Sequence, residues 1–249
     1  PAGLTGVGGA GAAGLFDQLR AAGRTHDPAA YDLQAYADLS AVRRRIEQDR
    51  IEAFEPTPPD MIALTGDLAE AAGRITLPAP SQPRATIVIP AFNNLRFTLE
   101  CLAALAAAGD LGETETLVID DASSDATPEI LPRVAGLRIV RNEENLGFIR
   151  TCNRAIEEAR GEVLIFLNND VQVRPGWLPP LLTALQDPEV GAAAPKMLFP
   201  DGRLQEAGAR INRDGTSEMI GLFQVPDQPR WNVPREVDYA SGACLAVHR

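Results

Sequence analysis

Basic side chains are in deficit in this 249-residue sequence: 23 Lys and Arg stand against 34 Asp and Glu, for a formal net charge of −11. Nucleic-acid binding rests on cations that neutralise phosphates, so no nucleic-acid partner is expected. An anionic ligand would need a local basic pocket or a bridging metal. Cysteine is scarce as well. Cys101, Cys152 and Cys244 are odd in number, far apart and set in apolar segments, which predicts buried reduced thiols and excludes a disulfide framework or a thiolate metal site. No apolar run approaches the roughly 18 residues of a membrane span. No transmembrane segment is expected, and no signal peptide can be read; the start at Pro1 is what a piece of a longer protein would show. A cytoplasmic location is expected, with peripheral association at the inner face of the membrane compatible. Phosphate-cradling loops are missing too. The turn after the first strand reads Pro90-Ala91-Phe92-Asn93-Asn94 in place of Gly-x-Gly-x-x-Gly, and there is no P-loop.

The residues that are present, 45% hydrophobic and 23% charged, are those of an ordinary globular protein. The length suits one large domain or one domain with an appendage. Residues 1–26 open with a Gly- and Ala-rich stretch and read as a flexible lead-in. A helix is expected from Asp27-Pro28, with Leu33, Tyr36, Leu39, Val42 and Ile46 on one face. Arg43-Arg44-Arg45 reads as its solvated surface. Pro56, Pro58 and Pro59 stop that helix, and Met61, Leu64 and Leu68 predict a second one. Pro78, Pro80 and Pro83 predict a stiff linker. The expected division is a helical segment with linker over 27–84 and a main domain over 85–249.

From residue 85 strands and helices alternate. Strands are expected over 86–89, 116–119, 137–140 and 163–167, and helices over 95–108, from about Asp125, and over 146–159. On the last helix Phe148, Cys152, Ala155 and Ile156 are expected to face inward. Connections this short predict a parallel sheet with right-handed crossovers and helices on both faces, an α/β nucleotide-binding architecture. Asp201-Gly202 and Asp214-Gly215 predict hairpin corners.

The register of this pattern points to a site. Val163 to Leu167 is an unbroken apolar run that ends in Asn168-Asn169-Asp170, and a second strand ends in Asp120-Asp121. Both acidic groups should leave the same edge of the sheet, where α/β proteins bind their ligands. Structural roles are open for these residues: Asn-Asn-Asp suits a plain turn, and Asp120 or Asp125 suits a helix cap. Adjacent carboxylates repel unless hydroxyls, amides or a cation satisfy them. The reading that fits is a nucleotide held by Asp121, with its diphosphate bridged by Mg²⁺ or Mn²⁺ on Asp170.

Four segments, in order, resemble the family 2 glycosyltransferases of the GT-A fold, over residues 85–249. Thr86-Ile87-Val88-Ile89-Pro90-Ala91-Phe92-Asn93 is similar to the family's opening strand and turn, with Phe92 where Tyr is usual. Val118-Ile119-Asp120-Asp121-Ala122-Ser123-Ser124-Asp125 resembles its Asp-Asp segment. Asn142 to Gly147 resembles the turn before the third helix, and Leu167-Asn168-Asn169-Asp170 the metal motif, followed by Val171 to Leu178. The resemblance implies a nucleotide-diphosphate sugar donor contacted at Pro90, Ala91, Asp120, Asp121, Asn145 and Asn169, with Asp170 as metal ligand. It also implies an inverting transfer to a glycan or lipid-linked glycan acceptor in polysaccharide or glycoconjugate synthesis. Asn168 stands where many relatives have Asp, which leaves one charged ligand. In the family a segment like Ser241 to Val247 leads to the general base, which is therefore expected after Arg249, outside this sequence. No catalytic residue is assigned within it. Glu206 and Asp238 are further acids without a motif, Arg150 could face phosphate or solvent, and His248 could line the leaving-group side. A non-catalytic nucleotide-sugar or glycan-binding module, or a scaffold of a larger assembly protein, is the alternative.

Overall fold

The computed structural model describes residues 57–249; the lead-in, the helix expected from Asp27 and the arginine run lie outside the described residues. Helix α1 (Leu68–Gly73) starts where the Asp67 carboxylate accepts from the Ala69 and Glu70 amides. Strand β1 (Ala85–Ala91) leads into helix α2 (Leu95–Ala108), which ends at Gly109 in the left-handed conformation. Strand β2 (Thr114–Asp120), a single turn of helix α3 (Thr127–Ile130), strand β3 (Leu137–Arg141), helix α4 (Phe148–Glu158) and strand β4 (Val163–Leu167) complete the alternation. Helix α5 (Leu178–Ala184) precedes the short strands β5 (Ala192–Ala193), β6 (Met197–Leu198), β7 (Leu204–Glu206), β8 (Ala209–Ile211) and β9 (Ser217–Met219) and the closing strand β10 (Cys244–His248).

The main sheet has the order β3-β2-β1-β4-β10-β5. β1 to β4 run parallel, as their helical crossovers require, and β10 is antiparallel to β4. β2 is buried at every position, whereas Val163 and Phe166 of the apolar run in β4 are only partly buried. Ile87 and Ile89 join Leu99, Leu102 and Leu105 of α2 in the larger core, while Val88, Leu117 and Ile119 meet Ala155 of α4 on the opposite face. Two hairpins, β6–β7 and β8–β9, turn at the expected Asp-Gly corners.

Three expectations differ from the structure. No helix spans Met61 and Leu64: residues 57–67 form an extended strap held by distant side chains. Gln172 exchanges two hydrogen bonds with the Ile62 backbone (2.7 and 2.8 Å), and Glu100 accepts from the Leu64 amide (2.9 Å). Nor is the Pro-rich stretch the edge of a separate body. Ala72, Ile75 and Leu77 belong to the larger core, Leu77 and Ile75 hydrogen bond to Ala135, and the compact unit runs from Pro56 to Arg249. On α4, Phe148 and Ile156 are 56% and 40% exposed, and Thr151 and Ala155 take the buried places. Small side chains let the helix lie close to the sheet, and Thr151 is drawn in by the Asn142 amide (3.1 Å). No described helix is long and apolar enough to cross a membrane.

Candidate active site

Parallel pairing brings the ends of β2, β1 and β4 to one edge in that order. Asp121 follows β2 and Asp170 follows β4, so two strand spacings, about 10 Å, separate them. Pro90 and Ala91 end the strand between. Ala91 is 2% exposed and its carbonyl already accepts from the Asp121 amide (2.8 Å). The loops at this edge hold unusual backbone. Asn93, Asn94 and Ala122 have φ of 55°, 56° and 61°, and such strain persists where the surroundings fix it. Here the Asn93 amide donates to Ser123 Oγ (2.8 Å), and Asn93 Oδ1 accepts from the Ser124 and Asp125 amides (2.8 and 3.2 Å).

The paired carboxylates of β2 are satisfied within the protein, so they do not by themselves require a ligand or cation. Asp120 is 1% exposed, pairs with the Arg141 guanidinium and accepts from the Ser123 amide (2.9 Å). These partners fix its carboxylate at the end of β2. Asp121 is 4% exposed; Oδ1 accepts from the Asn142 side-chain amide (2.6 Å) and the Leu146 N–H (2.8 Å), and Oδ2 from the Gly147 N–H (2.9 Å). Burial works against its charge, but these bonds, with Thr151, outweigh it and hold the carboxyl below its ordinary range. An ionised carboxylate has about four acceptor directions, so Asp121 anchors the 142–147 turn and keeps little capacity for a ligand. Gly147, at φ 76°, is the residue that allows its amide to turn back to Asp121.

Asp170 differs. It is exposed, and no described residue forms an ion pair or hydrogen bond with it. Asn169 donates to Thr98 Oγ1 (3.0 Å), and the Asn168 amide donates to the Ala243 carbonyl (2.9 Å), so the two amides before Asp170 fix its loop. Among the described residues no three His, Cys, Asp or Glu gather into a metal site. A divalent ion there fits one carboxylate plus substrate phosphate oxygens, a donor set that Mg²⁺ and Mn²⁺ accept.

The remaining candidates scatter. Asn145 is exposed and accepts from Gly147 (3.1 Å), and Arg150 is exposed on α4. Asp238 accepts from the Ile211 amide (3.1 Å). His248 pairs with Val163 at the opposite edge of the sheet and meets the Leu185 carbonyl (2.9 Å), so it cannot line the leaving-group side. Sequence reasoning missed Arg141 and Asn142, whose positions at the end of a third parallel strand were the available signal. A cavity of about 560 Å³ lined by Leu68, Asn93, Asn94, Arg96, Ser124 and Asp125 flanks this edge but reaches neither Asp121 nor Asp170. The strand register, which depends on no cavity boundary, makes this edge the candidate site.

The sequence profile of Glycosyl transferase family 2 matches residues 86–245. The chain is similar to the O-antigen biosynthesis protein RfbC of Myxococcus xanthus, 29% identical over 165 residues that are 65% of this chain and 12% of RfbC. It is also similar to an N-acetylglucosaminyltransferase of Bradyrhizobium elkanii, 26% identical over 167 residues, 65% of this chain and 85% of that protein. Among solved structures, a mannosyltransferase from Pyrobaculum calidifontis in complex with GDP-Man and Mn2+ is 28% identical with a TM-score of 0.42, over 50% of this chain and 39% of the other. This chain thus spans only a small part of RfbC and less than half of that mannosyltransferase. With the matched residues running from the first strand of the sheet into β10, the chain belongs to glycosyl transferase family 2 and has its GT-A fold.

Proposed function

We propose that this domain binds a nucleotide-diphosphate sugar along the carboxyl edge of the parallel strands and serves its transfer, with inversion, to a glycan or lipid-linked glycan hydroxyl. The observation that carries the reading is the placement of Asp121 and Asp170 two strands apart on one edge, with Asp170 exposed and unpaired among the described residues. Family membership and the similarity to an O-antigen biosynthesis protein support polysaccharide synthesis as the setting.

In the proposed reaction the acceptor oxygen forms a bond to the anomeric carbon as the bond to the diphosphate breaks. The transition state is oxocarbenium-like and the nucleoside diphosphate departs with the bonding pair. The acceptor proton goes to a general base. Asp121 holds the 142–147 turn at the nucleoside end, and Asn168 and Asn169 hold the loop of Asp170. A Mg²⁺ or Mn²⁺ ion on Asp170 would supply Lewis acidity and charge neutralisation at the diphosphate.

A thermal-shift panel of UDP, GDP and dTDP, with and without Mn²⁺, tests the reading. A ligand at 100 times its Kd adds about 2.7 kcal/mol. At least one diphosphate should stabilise the protein in a metal-dependent way, and Asp170→Ala should abolish the effect. A shift that survives both chelation and the substitution defeats the metal assignment. Binding of a nucleotide sugar without turnover would favour the non-catalytic module.

A further inference from the structure

Asp170 stands between two tied residues. On one side the Asn169 side-chain amide donates to Oγ1 of Thr98, a buried residue of α2 (3.0 Å). On the other, Gln172 lies between Val171 and Val173, which both pack against the larger core. The Gln172 side-chain amide, like a peptide unit, offers both an acceptor and donors, and it uses them on one residue of the strap. Oε1 accepts from the Ile62 N–H (2.7 Å), and Nε2 donates to the Ile62 carbonyl (2.8 Å). Between the two ties, the Val171 amide closes a turn onto the Asn168 carbonyl (3.2 Å).

The strap gives Gln172 a fixed partner. Two residues on, the Leu64 amide donates to Glu100 (2.9 Å), the Leu64 carbonyl accepts from Arg96, and the Leu64 side chain packs against the larger core. Ile62 and Leu64 thus have their backbone groups satisfied by side chains of α2 and of the loop after β4, where a sheet strand would use a neighbouring strand. None of these bonds reaches the Asp170 carboxylate. The ties on either side of it are neutral amides, so they hold the backbone without placing a cation that would compete for its charge. With one charged ligand in the site, no second carboxylate helps to hold the ion, and the placement of Asp170 decides how well a metal binds.

On the donor-site reading, on which this inference rests, we propose that Gln172 is a positioning residue for the metal: its pair with Ile62 makes the strap a brace that keeps Asp170 directed at the diphosphate. The strap is then part of donor binding, although Ile62 and Gln172 are 110 residues apart. Removing an outer partner of a metal ligand costs roughly 10- to 100-fold in metal affinity.

Titration of the full chain with Mn²⁺ at a fixed concentration of UDP or GDP, whichever the wild type binds, tests this. Gln172→Met fills the space and removes both bonds; Ile62→Pro removes the N–H from the opposite end. Each should raise the Mn²⁺ needed for half-maximal nucleotide binding about tenfold, and the double variant should be no worse than Gln172→Met. Gly136→Ala, which strains the fold against the Leu77 carbonyl instead, should leave the Mn²⁺ requirement within about twofold. In metal-free protein, hydrogen exchange at the Val171 amide should be faster in Gln172→Met than in wild type. Melting shows which variants are folded, and Ile62→Pro decides the matter if Gln172→Met is not. An unchanged Mn²⁺ requirement, losses that add in the double variant, or an equal rise in Gly136→Ala overturns the Gln172 role while leaving the donor site standing. A wild type that binds neither nucleotide, or binds one equally well after chelation, overturns the metal reading of the donor site and the brace with it.

Discussion

Individual acids in this domain do opposite things to stability. The exposed Asp125 carboxylate caps two helices at once: Oδ2 accepts from the Leu95 amide (3.2 Å) and Oδ1 from the Thr127 amide (3.0 Å). Burial opposes its charge, yet the bonds from Thr127 and Leu95 win and its pKa is lowered. The unfolded state then binds more protons, so this stabilisation is present above the unfolded value near 3.9 and is lost as pH falls through the folded value. Asp125→Ala should cost about 1 kcal/mol at neutral pH, and urea melts at pH 7 and in strong acid should show the difference shrinking on acidification. Glu206 has the reverse sign. Its pKa is raised by burial, so its contribution is fully present below the unfolded value and lost as pH rises through the folded one. Glu206→Gln should melt higher than wild type at pH 7 and lose that advantage at pH 4; a lower melting temperature at pH 7 would contradict the account. The thiols follow burial alone at Cys152 and Cys244, pushed up to about 11 and about 12.

At the scale of elements, local signals succeeded where the physics is local. The run over 163–167 became β4 with those bounds, and the expected 95–108 helix ended at Gly109. Failures came where a partner far along the chain decides the outcome. Residues 61–64 have a helical spacing of apolar side chains, but Gln172, 110 residues away, and Glu100 hold their backbone extended. Asp120 and Asp121 look unsatisfied in sequence because Arg141 and Asn142 arrive from another strand. Phe148 and Ile156 fit an inward stripe, yet only small residues let α4 approach the sheet. The site was legible in part: the shared edge follows from strand register, whereas the prior commitment of Asp120 and much of Asp121 needs coordinates. Gly136 shows how tightly one connection is drawn. It has φ 78°, and a Cβ there would sit 2.0 Å from the Leu77 carbonyl oxygen. Gly136→Ala should destabilise by more than about 1 kcal/mol in chemical denaturation, because both the backbone and the 75–77 segment would have to move.

For the whole molecule, the strap and α1 are part of the folding unit. Ala72, Ile75 and Leu77 are 0%, 6% and 4% exposed in the larger core. Burying a large aliphatic side chain is worth about 1.5–3 kcal/mol, against a total stability of about 5–15 kcal/mol. A chain begun at Pro56 should therefore melt cooperatively, and one begun at Ala85 should not; circular dichroism melts of the two would decide. A cooperative transition in the shorter chain would place the boundary at the Pro-rich stretch after all.

The reversed run of β10 sets the depth of the sheet below the rim. Its last residues lie beside Val163 and Glu162, so the polypeptide reaches Arg249 at the floor of the sheet, a full strand length below the rim where the donor would rest. At roughly 3.3 Å per extended residue, the five residues of β10 cover about 17 Å between the turn at Ser241–Ala243 and that floor.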